Sequence, residues 1–352
     1  MLKKCLTLVW LTVFSVVLVC CGSSDENIFD APVHKAKAEK TCTMSGISVD
    51  LNGDNPNGIC GIFVSDSVLL LRGTVKGSPF MVHAYSLNDG SPLGAYIAKG
   101  RGPNELLIPL FNKELIDESN LLYIFDLSLG ASYSFDYLKS IETHNTVLSE
   151  LLKLPGRPLY AFPMRRSHAV IIPESDDYSL EILDESGHRI KKLSLYPNVS
   201  GEQYFDRLSS ACALNQKNSK LAMAMCSSPQ VNFVDLEKGD KITCAISDEY
   251  KKWRDMLNAS DENRRLYYMS SAQSSEYFMS LYVGGVSLMD WIKGGDAPHL
   301  HIFDWDGNLL FDISLKESLK SITFDGSSKV LYGVDANDNI YRYDMSELMW
   351  QL

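Results

Sequence analysis

Six segments of this 352-residue chain share one pattern: an apolar run ends in tyrosine or aspartate, a polar turn follows, and the chain becomes apolar again. The residues that mark the six copies are Tyr85, Asp126, Asp184, Asp235, Asp304 and Asp344. One copy cannot bury its own apolar faces, so several copies must stack against one another. The repeat therefore constrains the fold more than any other feature of the sequence.

The spacing of the copies indicates what each unit is. Successive marked residues lie 41, 58, 51, 69 and 40 positions apart, and a spacing near 50 suits four short antiparallel strands, the blade of a β-propeller. In the first unit we expect Asp66–Arg72 to be the inner strand, with Pro79–Ser86 and Leu93–Ala98 following it. The predicted fold is all-β: a six-bladed β-propeller of four-stranded antiparallel blades within residues 41–352.

The last unit predicts how the ring closes. Ile340–Tyr343 is a candidate strand, and the chain ends soon after it, at Leu352. A last blade that lacks a strand exposes a sheet edge, which a strand from the other terminus can cover. We expect Thr43–Asp50 to close the ring in this way. In the longest interval, apolar residues at helical spacing predict a helical insertion on the rim at residues 248–266.

The first residues predict export. Lys3 and Lys4 precede the apolar run Leu6–Val19, which has the length of a signal-peptide core and falls short of the roughly 20 residues that span a bilayer. Residues 18–21 (Leu-Val-Cys-Cys) resemble the lipobox of bacterial lipoproteins. This resemblance implies a signal peptide at residues 1–20 and acylation of Cys21. An ordinary secretory signal or an uncleaved anchor is the alternative.

The segment after Cys21 predicts where the protein is held. Residues 21–40 are poor in apolar groups and predict a flexible tether. Gly22 resembles an outer-membrane signal, and Asp25 with Glu26 resembles a surface-export signal. We therefore expect an outer-membrane lipoprotein, periplasmic or surface-exposed, that contacts the membrane through its N-terminal lipid.

The net charge limits the classes of partner that we expect, and the cysteine content limits the disulfide bonds. The net charge is −11, and removal of residues 1–20, which contain two lysines and no acid, makes it −13. Such a chain is repelled by phosphate backbones, so we expect no nucleic-acid partner, and an envelope protein, a peptide or a glycan instead. Five further cysteines follow Cys21. We favour free thiols over the pairs Cys42–Cys60 and Cys226–Cys244, and no cofactor is indicated.

One loop resembles a known family. Residues 99–105 (Lys-Gly-Arg-Gly-Pro-Asn-Glu) resemble the Gly-Gly-Pro-Gly-Glu turn of TolB-like six-bladed propeller lipoproteins, abundant in gut-dwelling Gram-negative anaerobes. Residues 226–235, 276–284 and 332–344 are similar as well, and the resemblance covers residues 45–346. It implies a six-bladed propeller in the cell envelope, and it supplies no catalytic residues. Asn104 replaces the usual glycine and can adopt the same left-handed conformation.

That loop contains the first candidate site: Arg101, Gly102, Pro103, Asn104 and Glu105. Arg101 and Glu105 either face a ligand or form hydrogen bonds between blades, and we favour the structural role because demanding loops often serve packing.

A calcium site is a weaker candidate. Asp50, Asn52 and Asp54 place oxygen atoms at alternate positions, as calcium loops do. Asn55 and Gly61 stand where such a loop has its glycine and its bidentate glutamate, so an inter-strand turn explains the pattern better.

No catalytic motif is present. The sequence has no nucleophile elbow, P-loop or dinucleotide fingerprint. His299 and His301 share a strand face without a carboxylate or cysteine at metal-ligand spacing, so we expect a structural role for both. Tyr267 and Tyr268 could stack on sugars, and core packing is the expected role.

The sequence therefore favours a binding or scaffold module, with a hydrolase or lyase at the axial channel as the alternative. Two carboxylates and a histidine with perturbed pKa values at the channel mouth would favour the enzyme. An acid-poor face would favour binding, and a broad exposed apolar patch would favour a purely structural part of a complex.

Overall fold

The structure is a computed structural model that describes residues 27–53, 55–65, 67–112, 121–154, 158–173, 177–197, 199 and 202–349. The predicted signal peptide, Cys21 and Asp54 lie outside these residues. The described residues form six sheets of four or five strands arranged in a ring, so the predicted six-bladed β-propeller is confirmed.

The N-terminal segment contributes three strands, β1 (Val33–Lys35), β2 (Lys40–Met44) and β3 (Ile47–Val49). Blade 1 contains β4 (Asn57–Ser65), β5 (Val68–Thr74), β6 (Phe80–Ser86), β7 (Pro92–Lys99) and β8 (Glu105–Leu106). Blade 2 contains β9 (Pro109–Asn112), β10 (Leu121–Asp126), β11 (Ala131–Asp136) and β12 (Leu148–Lys153). Blade 3 contains β13 (Tyr160–Met164), β14 (Ser167–Pro173), β15 (Tyr178–Asp184) and β16 (Arg189–Ser194).

Blade 4 contains β17 (Ser210–Asn215), β18 (Lys220–Met225), β19 (Gln230–Asp235) and β20 (Lys241–Ala245). Blade 5 contains β21 (Arg265–Gln273), β22 (Tyr277–Ser287), β23 (His299–Asp304) and β24 (Leu309–Leu315). Blade 6 contains β25 (Leu319–Asp325), β26 (Val330–Asp335) and β27 (Ile340–Asp344). The first strand named in each blade lies nearest the axis.

Helices are short and lie between strands. They are α1 (Tyr137–Thr143), α2 (Trp253–Asn258), α3 (Leu288–Ile292) and α4 (Ser346–Met349), with 3₁₀-helices at Glu202–Tyr204, Asp248–Lys252 and Asp261–Asn263. The interval predicted as a helical insertion thus contains α2 and two 3₁₀-helices. In the described part of the chain, none of the helices has the length and apolarity needed to cross a bilayer.

The core consists of six apolar clusters, one between each pair of neighbouring blades. Both faces of a blade are covered by its neighbours, so strands are apolar on both faces; Val68–Leu71 of β5 is buried at every position. Phe233 and Phe278 illustrate the contact, packing edge to face between blades 4 and 5 with ring centroids 6.0 Å apart.

The ring closes as the sequence predicts. β3 pairs antiparallel with β27, with Val49 opposite Ile340, and forms the outer strand of blade 6. Next to it, the Glu317 carboxylate accepts hydrogen bonds from the Gly46 N–H at 2.9 Å and the Tyr343 hydroxyl at 2.7 Å. The N-terminal strand therefore covers the edge that blade 6 would otherwise expose.

The segment before β3 is packed rather than free. β1 pairs in parallel with β20 of blade 4, and β2 pairs in parallel with β24 of blade 5. Ile28 and Phe29 are buried, and Asn27 Nδ2 donates to Thr243 Oγ1 at 2.8 Å. This differs from the tether predicted over residues 21–40, because the buried side chains of Ile28 and Phe29 dock the described part of that segment, residues 27–40.

The first blade begins earlier in the chain than the sequence indicates. Its inner strand is β4, and the segment predicted to be innermost, Asp66–Arg72, falls on the second strand, β5. The β4 segment contains Gly58 and Gly61, which interrupt the alternation that marks a strand.

Candidate functional site

The axial channel contains a cavity of about 250 Å³ at the end where the inner strands begin. All six inner strands contribute to its wall, through Cys60, Phe111, Tyr160, Cys212, Ser271 and Ser321 among others. The cavity is the point where every blade meets, so a ligand there contacts the whole ring. Propellers and barrels commonly bind ligands at such a mouth.

Arg72 is the only charged side chain among the described residues that line this cavity. It belongs to the second strand of blade 1, opposite Gly61 on the inner strand. A Cβ atom at Gly61 would lie 3.3 Å from the Arg72 Nε. The missing side chain therefore lets an arginine from the second strand reach across the inner strand to the channel.

The Arg72 guanidinium has few partners. Its Nη2 donates to the Cys60 carbonyl oxygen at 3.1 Å, and its Nε is buried without a hydrogen bond. No carboxylate of the described residues forms an ion pair with it. Burial lowers the pKa of Arg72, because desolvation disfavours the charged form. Since a guanidinium has five N–H donors, its two Nη groups keep donors beyond the one that the Cys60 carbonyl oxygen accepts.

Other polar groups of the cavity wall hold the blades together. Asn112 Nδ2 donates to the Ala161 carbonyl oxygen at 2.6 Å, which joins blade 2 to blade 3. The Tyr160 hydroxyl donates to the Ser210 carbonyl oxygen at 2.7 Å, which joins blade 3 to blade 4. These donors are engaged within the ring, so Arg72 is the group most free to meet a ligand.

A second cavity, of about 440 Å³, lies at the other end of the channel and shares Ala272 and Gln273 with the first. Its wall includes the carboxylates of Glu276 and Asp325. Burial alone would raise the pKa of Asp325, but hydrogen bonds from Ser328 and its neighbour outweigh this effect, so the pKa is lowered. Asp325 is therefore ionised near neutral pH.

The loop at residues 101–105 lies outside both cavities. Glu105 turns back into its own loop, and its Oε2 accepts a hydrogen bond from the Gly102 N–H at 2.7 Å. A Cβ atom at Gly100 would overlap this carboxylate. Asn104 has a φ of 60°, in the left-handed region, and Arg101 is exposed. Glu105 thus shapes the loop.

The calcium candidate is used for packing where it is described. Asn52 Nδ2 donates to the Asp89 carbonyl oxygen at 2.6 Å, which fastens the loop to the β6–β7 turn, and Asp50 is exposed. Among the described residues, no group of three or more histidine, cysteine, aspartate or glutamate side chains is placed to hold a metal ion. The five cysteines from Cys42 to Cys244 are free thiols.

The histidine pair has a carboxylate partner that the sequence analysis missed. Asp312 lies opposite His301 on β24, and its Oδ1 is 2.5 Å from His299 Nδ1 and 3.7 Å from His301 Nε2. Nδ1 of His301 lies 3.0 Å from the Tyr268 hydroxyl. Burial lowers the pKa of His301 to about 4. The group belongs to the packing between blades 4 and 5, away from the channel.

The helical insertion covers a third cavity, of about 370 Å³, bordered by Trp253, Met256 and Tyr267. The Tyr267 hydroxyl donates to Glu249 Oε2, at 2.5 Å, and this contact fixes the insertion to blade 5. Burial, together with Glu249, raises the pKa of Tyr267. Tyr267 and Tyr268 are both buried, as expected for core residues.

Sequence reasoning did not single out Arg72. The available signal was a charged residue ending the fully apolar run Val68–Leu71, together with Gly61 inside a strand. A glycine within a strand often marks the close approach of another group. That signal becomes specific only when the strand register places the two residues opposite each other.

Comparison with known proteins places the chain among propellers. A family model described as TolB-like 6-blade propeller-like matches residues 60–327. The crystal structure of a DUF4221 family member from Bacteroides vulgatus is similar, with a TM-score of 0.52 and 11% identity over 88% of this chain and 96% of that chain. The computationally designed Ika8 protein has a TM-score of 0.38 and 12% identity, over 81% of this chain and 70% of that chain. The curated proteins contain no match.

Proposed function

Because the chain belongs to the TolB-like six-bladed propeller family, we propose that it is a lipid-anchored cell-envelope propeller acting as a binding module. Its partner is a protein, a peptide or a glycan, which inserts a group into the axial channel. The observation that carries this proposal is the cavity at the start of the inner strands. Its described wall combines one cationic side chain with neutral polar and aromatic ones, and holds no carboxylate and no imidazole.

Hydrolysis at the channel has less support. A glycosidase needs a carboxylic acid whose pKa is raised, so that it can protonate the leaving group. The carboxylates near the channel are Glu276 and Asp325, at the other end, and the pKa of Asp325 is lowered. The His299–Asp312 pair lies in the outer strands of blade 5. Among the residues that the structure describes, the groups that a hydrolase or lyase requires are therefore not assembled at one point.

A purely structural role has less support as well. The large hydrophobic side chains exposed in the described part of the chain are Ile47, Ile108, Leu151, Ile190 and Met289. They belong to different blades or connections, so they form no continuous apolar patch of the kind that marks an obligate interface.

The membrane anchor rests on the lipobox-like residues 18–21. Replacement Cys21→Ser removes the acylated thiol, so the protein should lose its covalent lipid and leave the outer-membrane fraction. Cys20→Ser is the matched control, because serine is also small enough for the position before the cleavage site. An unchanged distribution of the Cys21→Ser protein would contradict lipid anchoring at this residue.

The binding function is tested by capture from detergent-solubilised envelopes, with the full lipidated chain as bait and an unrelated lipoprotein as control. Cys60 is exposed to the channel, so Cys60→Phe fills the cavity. Ser48→Phe adds the same ring to the outer strand β3. We expect a stoichiometric partner that Ser48→Phe retains and Cys60→Phe loses. Equal capture by both variants would place binding outside the channel.

A further inference from the structure

We propose that the axial channel recognises a carboxylate group of its ligand through Arg72. This inference rests on the binding function proposed above and names the chemistry of that site.

The charge of Arg72 lacks an anionic partner in the described part of the cavity wall. Withdrawing part of a cation from water without an anionic partner is unfavourable. Arg72 nevertheless lies beside Phe111 and Leu110 in the cavity wall, with its Nε buried and unbonded. A ligand anion would supply the missing partner and offset that cost.

The shape of the Arg72 guanidinium suits a carboxylate. The planar guanidinium fork matches the two oxygens of a carboxylate, and such charge-assisted pairs are about twice as strong as neutral hydrogen bonds. The Cys60 carbonyl oxygen takes one donor of Nη2 and holds the fork in place. Gly61 leaves the room that the guanidinium occupies, because a Cβ atom there would lie 3.3 Å from Nε. The arginine is therefore positioned before the ligand arrives.

The positive charge of Arg72 is opposite in sign to the net charge of the chain. The chain carries a net charge of −11, so its overall field repels anions. Arg72 is the single described charge in the cavity, and the donors of Asn112 and Tyr160 are engaged between blades. Recognition of an anion at this point depends on one side chain, which makes it specific and easy to abolish.

Two classes of ligand present a carboxylate that fits this cavity: an acidic sugar and a peptide with a free C-terminus. The second cavity along the axis shares Ala272 and Gln273 with the first, so the remainder of either ligand has room. The chemistry seen by Arg72 is the same in both cases.

Calorimetric titration of the full chain separates the sources. The probes are two matched pairs, galacturonate with galactose, and N-acetyl-Ala-Ala with its C-terminal amide; inorganic phosphate is the fifth probe. We expect the acid of one pair to bind at least about tenfold more tightly than its neutral counterpart, and more tightly than phosphate. The pair that shows the preference identifies the source.

Variants of Arg72 test whether this side chain causes the preference for the acid over the neutral probe. Arg72→Met should remove it, Arg72→Lys should keep part of it because the charge remains without the fork, and Arg101→Met, on the exposed loop, should leave it unchanged. A thermal unfolding curve checks that each variant is folded. If Arg72→Met does not fold, a reduced preference in folded Arg72→Lys carries the test, and an undiminished preference there overturns the proposal.

The proposal is wrong if acid and neutral probes bind equally, if phosphate binds as tightly as the acids, if no acid binds at millimolar concentration, or if folded Arg72→Met retains the preference. The binding function is judged separately, by partner capture. Capture that Cys60→Phe abolishes and Arg72→Met leaves intact would preserve the channel function and reject the carboxylate.

Discussion

A Cβ atom at Gly61 would lie 3.1 Å from the Cβ and 3.3 Å from the Nε of Arg72. The two residues are opposite each other on neighbouring strands of blade 1. A side chain on the second strand of a blade normally lies between blades. Because Gly61 has no side chain, the Arg72 guanidinium extends past the inner strand to the channel.

Replacement Gly61→Ala should therefore weaken anion binding about tenfold, because the added methyl group displaces the guanidinium. Unfolding free energy should stay within about 1 kcal/mol of the wild type, since alanine suits a strand better than glycine and offsets the contact. Ser48→Ala is the control, because Ser48 is exposed on the outer strand β3 and lines neither cavity of the channel. Calorimetry with the preferred acid checks both variants; equal affinity in Gly61→Ala would contradict the steric argument.

Replacement Asn27→Ala should lower the unfolding free energy by about 1–3 kcal/mol, the cost of leaving buried polar groups unpaired. Asn27 donates to Thr243 Oγ1 at 2.8 Å and accepts from Gln230 Nε2 at 3.3 Å, so its loss disturbs a buried network in blade 4. Asn88→Ala, at an exposed turn, is the control. Urea unfolding of both variants measures the difference, and equal midpoints would mean that the N-terminal segment contributes little stability.

The repeat predicted the blade number better than the position of each blade. The third strand of blade 2 ends at Asp136, just as the third strand of blade 3 ends at Asp184. Asp126, which the repeat pattern assigned to this position, ends the second strand instead. Counting from Asp136 makes the first two spacings 51 and 48 instead of 41 and 58. Asp136 was missed because helix α1, rather than a polar turn, follows it.

Asp126 has a structural role in blade 2, because its side chain joins two backbone segments. It is fully buried, and its carboxylate accepts hydrogen bonds from the backbone N–H groups of Leu107, Ile108, Ser128 and Leu129, all between 2.7 and 2.9 Å. Replacement Asp126→Ala should cost at least about 3 kcal/mol, because four backbone N–H donors lose their acceptor. Asp296→Ala, at an exposed loop position, is the control. Thermal unfolding compares them; a small loss in Asp126→Ala would show that water replaces the carboxylate.

The candidate site was harder to predict than the fold. Blades follow from local alternation of apolar residues, which a sequence displays directly. The channel wall is built from one or two residues of each blade, and Cys60 and Ser321 meet there although 260 positions separate them. Only the register that sets Arg72 opposite Gly61, together with ring closure, brings this wall together.

Acid should destabilise the protein through His168. Burial lowers the pKa of His168 to about 4, from 6.5, and both ring nitrogens lack partners. The folded state therefore binds a proton less readily than the unfolded state, so stability is complete above pH 6.5 and is lost as the pH falls toward 4, by up to about 3 kcal/mol. His168→Leu should flatten this part of the stability–pH curve, and His34→Leu, at an exposed position, should not. Urea midpoints from pH 7 to 4 test this; identical slopes in all three proteins would exclude His168 as the cause.

Glu317 should control how firmly the ring is closed. Burial opposes its ionisation, but hydrogen bonds from Gly46, Tyr343 and Ser45 outweigh that effect and lower its pKa. Its contribution is thus present above the unfolded-state pKa and is lost as the pH falls through the folded-state value. Glu317→Gln should cost about 1–3 kcal/mol, because the amide NH₂ group faces donors.

The Glu317→Gln effect should also be local. Amide hydrogen exchange should accelerate in β3 and β27, the strands that seal blade 6, more than in the strands of blade 3 on the opposite side of the ring. Glu347→Gln, an exposed residue near the C-terminus, is the matched control and should leave exchange unchanged. Uniform acceleration in all blades would mean that the ring opens as one cooperative unit, and unchanged exchange would mean that strand pairing alone holds the closure.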